Sequence, residues 1–170
     1  MRLGPLDHVG IAVADLAAAR DFYERTLGLR VVHEEVLADQ GVHELLFHGG
    51  DAFVQLVAPL APDTPVGRFL AKRGEGLHHV GYLVPDVAAA VEELRADGVE
   101  VIDPAPRSGS GGTVVAFVHP KSVRGVLVEL VEEGSGHRGR QPRGMARGAG
   151  AGPPLPPSRF RSGRGIRSVD

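Results

Sequence analysis

The sequence predicts an α+β fold made of two βαβββ modules, on the basis of an internal repeat, two helical patterns and a series of short β-rich segments. Residues 6–19, LDHVGIAVADLAAA, align without gaps to residues 77–90, LHHVGYLVPDVAAA, and nine of the fourteen positions are identical. Such self-similarity indicates a duplicated structural unit. In each copy a strand is followed by an aspartate and a helix, so we expect the two copies to fold alike.

Each copy contains one amphipathic helix. The apolar positions at helical spacing are Leu16, Ala19, Tyr23 and Leu27 in the first copy, and Val87, Val91 and Leu94 in the second. Asp15 and Asp86 are predicted N-caps, and Gly28 and Gly98 are predicted to end the helices. Each helix should cover one face of its sheet, which leaves the other face to be covered or to line a cavity.

Three β-rich segments separated by turn residues follow each helix. They are LRVVHEEVL, GVHELLFH and AFVQLVAP in the first copy, and VEVI, TVVAFVH and GVLVELVE in the second. The stretch PVGRFLAKRGEG is predicted to be a short helix and connector. These patterns assign residues 1–133 to one domain, with module one at 5–60, the connector at 61–76 and module two at 77–133.

A basic tail follows this domain. Residues 1–133 carry a net charge of −9, whereas residues 134–170 carry +7 because they contain eight arginines and one aspartate. The tail is rich in glycine and proline and has no hydrophobic periodicity, so we predict that it is disordered. It could bind nucleic acid or another anionic surface, but it lacks a set of aromatic side chains for stacking bases. We therefore prefer an extension without a dedicated role and expect no nucleic-acid partner.

The composition excludes several function classes. The absence of cysteine excludes disulfides, thiolate metal sites and thiol nucleophiles. The N-terminal residues contain no apolar run long enough for a signal peptide or a membrane span, so we expect a cytoplasmic protein with no membrane partner. No phosphate loop, dinucleotide fingerprint or nucleophile elbow is present.

Two histidines occupy equivalent positions of the repeat. Successive side chains of a strand point to opposite faces. His8 should therefore share a face with Gly10, and His79 with Gly81, whereas His78 should point to the opposite face. The glycines would leave room beside each imidazole. A single histidine of this kind is commonly a hydrogen-bonded core residue, but the duplication also fits a pair of metal ligands.

The last strand of each module offers an oxygen ligand. Glu129 lies in the apolar run VLVELV, where an ionised carboxylate costs several kcal/mol unless a cation or strong donors compensate it. Gln55 occupies the matching place in AFVQLV. We therefore predict a divalent cation bound by His8, Gln55, His79 and Glu129 in an open site that retains water or substrate. The alternative is a buried Glu129 paired with a protonated imidazole, without metal.

Glu44 in GVHELLF is a candidate general base. By itself it would be interpreted as an exposed glutamate on an edge strand. Beside a Lewis acid, however, a half-buried glutamate with a raised pKa could remove a proton. The loop at 107–113, RSGSGGT, is predicted to be a turn. The remaining candidates, predicted to be surface or supporting groups, are His33, His43, His48 and His119.

Four stretches resemble a known family. DHVGIAV, FYERTLGL, PVGRFLAKRGEGLHHVGY and VAFVHPKSVRGVLVELVE resemble the methylmalonyl-CoA epimerases of the vicinal oxygen chelate superfamily, over residues 5–133. The resemblance implies a curved mixed sheet around a metal-binding cleft and places Glu44 as an acid or base at the substrate α-carbon. The metal ligands that it implies are His8, Gln55, His79 and Glu129.

The resemblance also implies the reaction, the cofactor and the assembly. It implies interconversion of (R)- and (S)-methylmalonyl-CoA upstream of a cobalamin-dependent mutase, a homodimer, and a divalent metal, with Co²⁺ favoured over Mn²⁺, Ni²⁺ or Zn²⁺. Inversion requires proton transfer on both faces, and Glu129 or a metal-bound water is the candidate for the second face. The alternatives are a glyoxalase I-like or other metal-dependent lyase or isomerase of the superfamily, and a non-catalytic small-molecule binding module.

Overall fold

The computed structural model describes residues 1–132 and residue 134, which form an eight-stranded mixed sheet and three α-helices. The elements are β1 (Leu6–Ala12), α1 (Leu16–Arg25), β2 (Val31–Leu37), β3 (Val42–His48), β4 (Phe53–Pro59), α2 (Pro65–Arg73), β5 (Gly76–Val84), α3 (Val87–Ala96), β6 (Arg107–Ser108), β7 (Val114–Val118) and β8 (Leu127–Glu132). The predicted α+β fold of two βαβββ units is confirmed. The disorder predicted for residues 134–170 lies outside the described residues, apart from Gly134.

The strand order β2-β3-β4-β1-β5-β8-β7-β6 shows how the two copies combine. In each copy the first and last strands pair in parallel, β1 with β4 and β5 with β8. The copies join through the antiparallel pair of β1 and β5. The repeated first strands therefore lie at the centre of the sheet with the last strands beside them, and these four strands contain all the predicted metal ligands.

Helices α1 and α3 begin where the sequence indicated. The side chains of Asp15 and Asp86 each accept a hydrogen bond from the backbone N–H three residues later. Gly28 and Gly98 lie shortly after α1 and α3 with φ of 69° and 77°. This left-handed conformation suits glycine, because a Cβ atom would be strained there. Among the described residues, no helix is long and apolar enough to cross a membrane.

Helices α1 and α3 cover one face of the sheet, and α2 covers part of the other. The buried side chains beneath α1 are Val13, Leu45, Phe47, Leu56 and Ala58, and those around α3 are Val84, Val87, Ala90, Val91, Ala116, Val118 and Leu130. Burying each large aliphatic side chain contributes about 1.5–3 kcal/mol. Leu27, predicted to belong to the α1 stripe, is instead exposed because the helix ends at Arg25.

The second strand of module two differs from the prediction. The segment VEVI was expected to form it, but only Val101 makes a bridge, to Val118. The short strand beside β7 is instead β6, within the segment predicted to be a turn. Two prolines after Asp103 remove backbone donors and oppose a longer ladder. The Asp103 carboxylate takes the place of a backbone acceptor, since it accepts a hydrogen bond from Phe117 N at 2.7 Å.

Two hydrogen bonds connect the outer strands of the two modules. Gln40 Nε2 donates to the backbone oxygen of Ser108 at 3.0 Å, and Gly111 N donates to Glu35 Oε2 at 2.9 Å. Gln40 and Glu35 belong to β2 and its following turn, whereas Ser108 and Gly111 belong to β6 and its following turn. The sheet therefore curls around the face that bears the predicted ligands.

Candidate metal centre

Three of the predicted ligands converge at one point. His8 Nε2 lies 2.8 Å from Glu129 Oε2 and 2.9 Å from His79 Nε2. His79 Nε2 lies 3.3 Å from the same Glu129 oxygen. All three side chains are buried. Because β1, β5 and β8 are neighbours in the sheet, residues from both modules reach the same site.

These spacings fit a divalent ion. Ligand atoms about 2.1 Å from a metal and at right angles to one another lie about 3.0 Å apart. The two imidazoles and the carboxylate have this spacing and form the mixed nitrogen and oxygen set that such ions accept. The Oε1 atom of Gln55 is buried and has no hydrogen-bond partner among the described residues, which leaves it available as a further ligand. The four predicted residues therefore fit the metal.

Glycines on the facing strands make room for the imidazoles. Gly10 on β1 lies opposite His79 on β5, and Gly81 on β5 lies opposite His8 on β1. A Cβ atom at Gly10 would collide with the His79 ring, and one at Gly81 would collide with the His8 ring. The space beside each histidine was expected to receive another group. It is filled by the histidine of the other module.

Asp7 and His78, which precede the two histidines, also belong to the site. Asp7 Oδ2 accepts a hydrogen bond from His8 Nδ1 at 2.7 Å, and His78 Nδ1 lies 2.9 Å from His79 Nδ1. Histidine ligands commonly use their second ring nitrogen in this way, which fixes the ring and directs the first nitrogen to the metal. The prediction that His78 points to the opposite face is therefore wrong.

A β-bulge on each central strand explains this difference. The register of β1 and β5 shifts at Asp7 and again at His78, so neither residue has a counterpart on the facing strand. A bulge interrupts the alternation of side chains and redirects one of them. The two bulges fall at equivalent positions of the repeat. Sequence reasoning missed Asp7 because alternation assumes an unbroken ladder, although its alignment with His78 was an available signal.

The buried charges shift the protonation of the site. Burial opposes the charged form of His8, but Glu129 and Asp7 outweigh it and raise the pKa of His8 to about 9. Burial likewise opposes ionised Glu129, yet His8 and His79 hold the pKa of Glu129 far below its ordinary value. Burial lowers the pKa of His79, and burial together with His79 lowers the pKa of His78 to about 4. A metal must therefore compete with a proton on His8.

Glu44 is buried beside the ligand set. It is 2% exposed, because β3 is flanked by β2 and β4 and is not an edge strand. Gln55 Nε2 donates a hydrogen bond to Glu44 Oε2 at 2.8 Å. The Gln55 amide thus offers its oxygen to the ligand set and its N–H to Glu44, which couples the positions of the candidate ligand and the candidate base.

Two residues of β2 extend this network. Glu35 pairs directly with Glu44 across the strands, and His33 Nε2 lies 2.9 Å from Glu35 Oε2. One polar atom from each of the three residues lies within 4.8 Å of the others. Glu35 was not predicted, because its position opposite Glu44 depends on a strand register that the sequence does not reveal. The other histidines that were predicted to be surface or supporting groups are His43, His48 and His119. Among the described residues, none of these three lines the cavity beside the ligand set.

A cavity of about 280 Å³ lies beside the ligand set and Glu44. Glu44, Gln55, His79 and Glu129 line it together with apolar side chains from both modules, including Val42, Val57, Val66, Phe117 and Leu127. Residues Gly109 and Ser110, in the turn after β6, also line it. A cavity of this size and lining suits a small polar group held in apolar surroundings.

Comparison with known proteins assigns the chain to a family. Residues 7–117 match the model of the Glyoxalase/Bleomycin resistance protein/Dioxygenase superfamily, so the chain belongs to this superfamily. The ethylmalonyl-CoA/methylmalonyl-CoA epimerase of Cereibacter sphaeroides is 38% identical over 130 residues, which cover 75% of this chain and 97% of that protein. Within the superfamily, the chain belongs to the methylmalonyl-CoA epimerase family.

Solved structures agree with this assignment. The chain is 44% identical to methylmalonyl-CoA epimerase from Mycobacterium tuberculosis, with a TM-score of 0.72 over 75% of this chain and 86% of that chain. It is 42% identical to a methylmalonyl-CoA epimerase in complex with methylmalonyl-CoA and NH4+, with a TM-score of 0.76 over 78% of this chain and 96% of that chain. The resemblance based on four sequence stretches is therefore confirmed.

Proposed function

We propose that the protein interconverts the (R) and (S) epimers of methylmalonyl-CoA. Membership of the epimerase family supports this reaction. The observation that carries the proposal is the convergence of His8, His79 and Glu129 beside Glu44, with the Gln55 amide bonded to Glu44. Ligands, candidate base and apolar cavity are thus combined in one buried site.

A divalent ion would be held by His8, Gln55, His79 and Glu129. When bound, the ion supplies Lewis acidity that stabilises negative charge on the thioester oxygen after the α-proton is removed. Glu44 is the base that removes this proton from one face of the α-carbon. Gln55 holds the Glu44 carboxylate in position, and the apolar wall of the cavity keeps bulk water from the carbanion.

The second proton transfer requires a group on the opposite face of the α-carbon. The candidates are Glu129 and a water molecule held beside the ligand set. Glu129 lines the same cavity from β8 of module two, whereas Glu44 lines it from β3 of module one. The remaining carboxylate of the cavity lining, Asp39, is exposed on the turn after β2. Two acids that reach one substrate from different modules suit inversion.

The proposal also covers the identity of the metal, the oligomeric state, the cellular location and the domain boundaries. The imidazole, amide and carboxylate set suits Co²⁺, Mn²⁺, Ni²⁺ and Zn²⁺, and the family resemblance favours Co²⁺. The same resemblance supports a homodimer. The cytoplasmic location expected from the sequence belongs to the same proposal. Residues 1–133 are the proposed catalytic domain, and residues 134–170 the tail.

Solvent-deuterium incorporation tests the reaction. The protein is incubated with (R)- or (S)-methylmalonyl-CoA in D₂O, and both the label at the α-carbon and the conversion to the other epimer are followed. We expect enzyme-dependent labelling and conversion from either epimer. If the protein instead isomerised the hemithioacetal of methylglyoxal and glutathione, and left methylmalonyl-CoA unlabelled, the glyoxalase alternative would replace the proposal.

A further inference from the structure

One part of the cavity wall is a turn of module two that is rich in glycine. This turn, residues 109–113, follows β6 and contains three glycines; it is called the glycine turn below. Gly109 and Ser110 line the cavity, and Ser110 is buried. Gln40 lines the same cavity from module one. The place of the glycine turn relative to module one therefore sets the width of the cavity.

Hydrogen bonds within the glycine turn fix its shape but not its place. Gly109 N donates to the Thr113 backbone oxygen at 2.7 Å, and Thr113 Oγ1 donates to the Ser110 backbone oxygen at 2.9 Å. Gly111 and Gly112 have φ of 62° and 74°, a region that glycine enters and leaves without steric cost. The preceding strand, β6, has only two residues and pairs with β7 alone. Contacts with module one must therefore hold the turn in place.

Glu35 on β2 provides such a contact. Its Oε2 atom accepts a hydrogen bond from Gly111 N at 2.9 Å, and His33 Nε2 lies 2.9 Å from the same oxygen. A hydrogen bond from a backbone N–H to a carboxylate is stronger than one between neutral groups. Gln40 Nε2 adds a bond to the Ser108 backbone oxygen at 3.0 Å. The stronger of the two attachments thus depends on one carboxylate, which His33 orients.

Glu35 also lies next to the candidate base. It pairs directly with Glu44 across β2 and β3, and side chains in such a pair share one face of the sheet with their Cβ atoms about 4.5–5.5 Å apart. A carboxylate oxygen of Glu35 lies within 4.8 Å of one of Glu44. A displacement of Glu35 would therefore disturb both the cavity wall and the surroundings of the base.

We propose that Glu35 is a positioning residue that ties the glycine turn to β2 and keeps the cavity closed around the acyl group. The inference rests on the proposed function and names a residue that acts through the turn and Glu44, without contact with the substrate. The Glu35 carboxylate accepts the Gly111 N–H, and His33 holds that carboxylate in its orientation. The closed wall keeps bulk water away from the carbanion that Glu44 generates.

Amide hydrogen exchange tests the tie without reference to activity. Exchange over residues 107–113 is followed by mass spectrometry in the full chain for the wild-type protein, Glu35→Met and Glu35→Gln. The two new side chains have similar length, but only glutamine can accept the Gly111 N–H. A hydrogen bond to a charged group changes a local opening equilibrium about tenfold or more. We expect exchange to accelerate about tenfold in Glu35→Met and to stay within about threefold of wild type in Glu35→Gln.

Two further variants complete the exchange experiment. Glu34→Met is the matched control, because Glu34 is the neighbouring glutamate of β2 and is exposed; it should leave exchange in the glycine turn unchanged. His33→Ala keeps the Glu35 carboxylate but removes the group that orients it, so it should accelerate exchange less than Glu35→Met does. This variant decides the matter if Glu35→Met does not fold.

Kinetics with methylmalonyl-CoA test the consequence for the reaction. Misplacing a group by about 1 Å can cost about 10²-fold in rate. We expect kcat to fall about 10- to 100-fold in Glu35→Met, with a smaller change in KM, and Glu35→Gln to recover most of the loss. Melting temperature and metal content are measured on the same samples, so that kcat is expressed per folded, metal-loaded chain. A residue that only stabilised the fold would leave this kcat unchanged.

The two measurements separate this proposal from the proposed function. A wild-type protein that epimerises methylmalonyl-CoA, together with unchanged exchange and kcat in Glu35→Met, would overturn the positioning role alone. Equal losses of kcat in Glu35→Met and Glu35→Gln would also overturn it, because glutamine preserves the acceptor. A wild-type protein without epimerase activity, in which Glu35→Met still accelerates exchange and Glu35→Gln does not, would overturn the function and support the tie.

Discussion

Two buried carboxylates at the site have different neighbours. Glu129 contacts the imidazoles of His8 and His79, and these hold its pKa far below the ordinary value. Glu44 instead accepts a hydrogen bond from the neutral Gln55 amide. The surroundings thus suit Glu129 to bind a cation and Glu44 to accept a proton from a substrate.

The substitution Glu44→Gln should abolish most proton exchange while leaving metal binding intact. The new amide can still accept the hydrogen bond from Gln55, but it cannot act as a base. Loss of a general base lowers the rate about 10²- to 10⁴-fold. Deuterium incorporation and metal content per chain are measured on the same samples, with Glu34→Gln on the exposed side of β2 as the control. Undiminished exchange in Glu44→Gln would remove Glu44 from the mechanism.

Metal binding should release a proton from His8. Because the pKa of His8 is raised to about 9, this side chain is protonated in the metal-free protein at pH 7–8. A metal ligand must be deprotonated, so the apparent affinity should increase as the pH rises toward 9. Calorimetry of Co²⁺ binding in buffers of different ionisation enthalpy measures the released protons. The variant Asp7→Asn removes one charge that raises this pKa, so it should release fewer protons at pH 7.5. Equal release from both proteins would contradict the assigned role of Asp7.

At the scale of the strands, two bulges and two glycines shape the site. Alternation and the internal repeat were sufficient to predict His8 and His79 as a pair, and the matching places of Gln55 and Glu129 in the two last strands predicted the oxygen ligands. Alternation failed at Asp7 and His78, because a bulge depends on the pairing of two strands and leaves no mark in either strand alone. For the same reason, the position of Glu35 opposite Glu44 could not be predicted.

Replacing Gly10 with alanine should displace the His79 ring, because the new Cβ atom would collide with it. Displacement of one ligand should weaken metal binding about 10- to 100-fold, as substitutions that disturb ligand orientation do. The control is Gly49→Ala, whose Cβ atom would lie 3.1 Å from the Ala52 carbonyl oxygen and 3.6 Å from the Val54 side chain, outside the site. Metal affinity is measured by competition with a chromophoric chelator. An unchanged metal affinity in Gly10→Ala would show that metal binding does not depend on the position of the His79 ring beside Gly10.

At the scale of the whole molecule, the duplication places half of the ligand set in each module. His8 and Gln55 come from the first module, and His79 and Glu129 from the second. The internal repeat made this division predictable. The contacts of Glu35 and Gln40 with the turn after β6, which curl the sheet, join segments without any recognisable pattern. The cavity therefore became apparent only in the folded chain.

The dependence of epimerisation on the metal is the decisive test of the proposed mechanism. The protein is treated with a chelator, and epimerisation of methylmalonyl-CoA is then measured while Co²⁺ is added back. We expect activity to be lost on chelation and to return as one ion per chain is bound, whereas the His79→Ala variant should regain little activity. Full epimerase activity in protein shown to be metal-free would contradict the account.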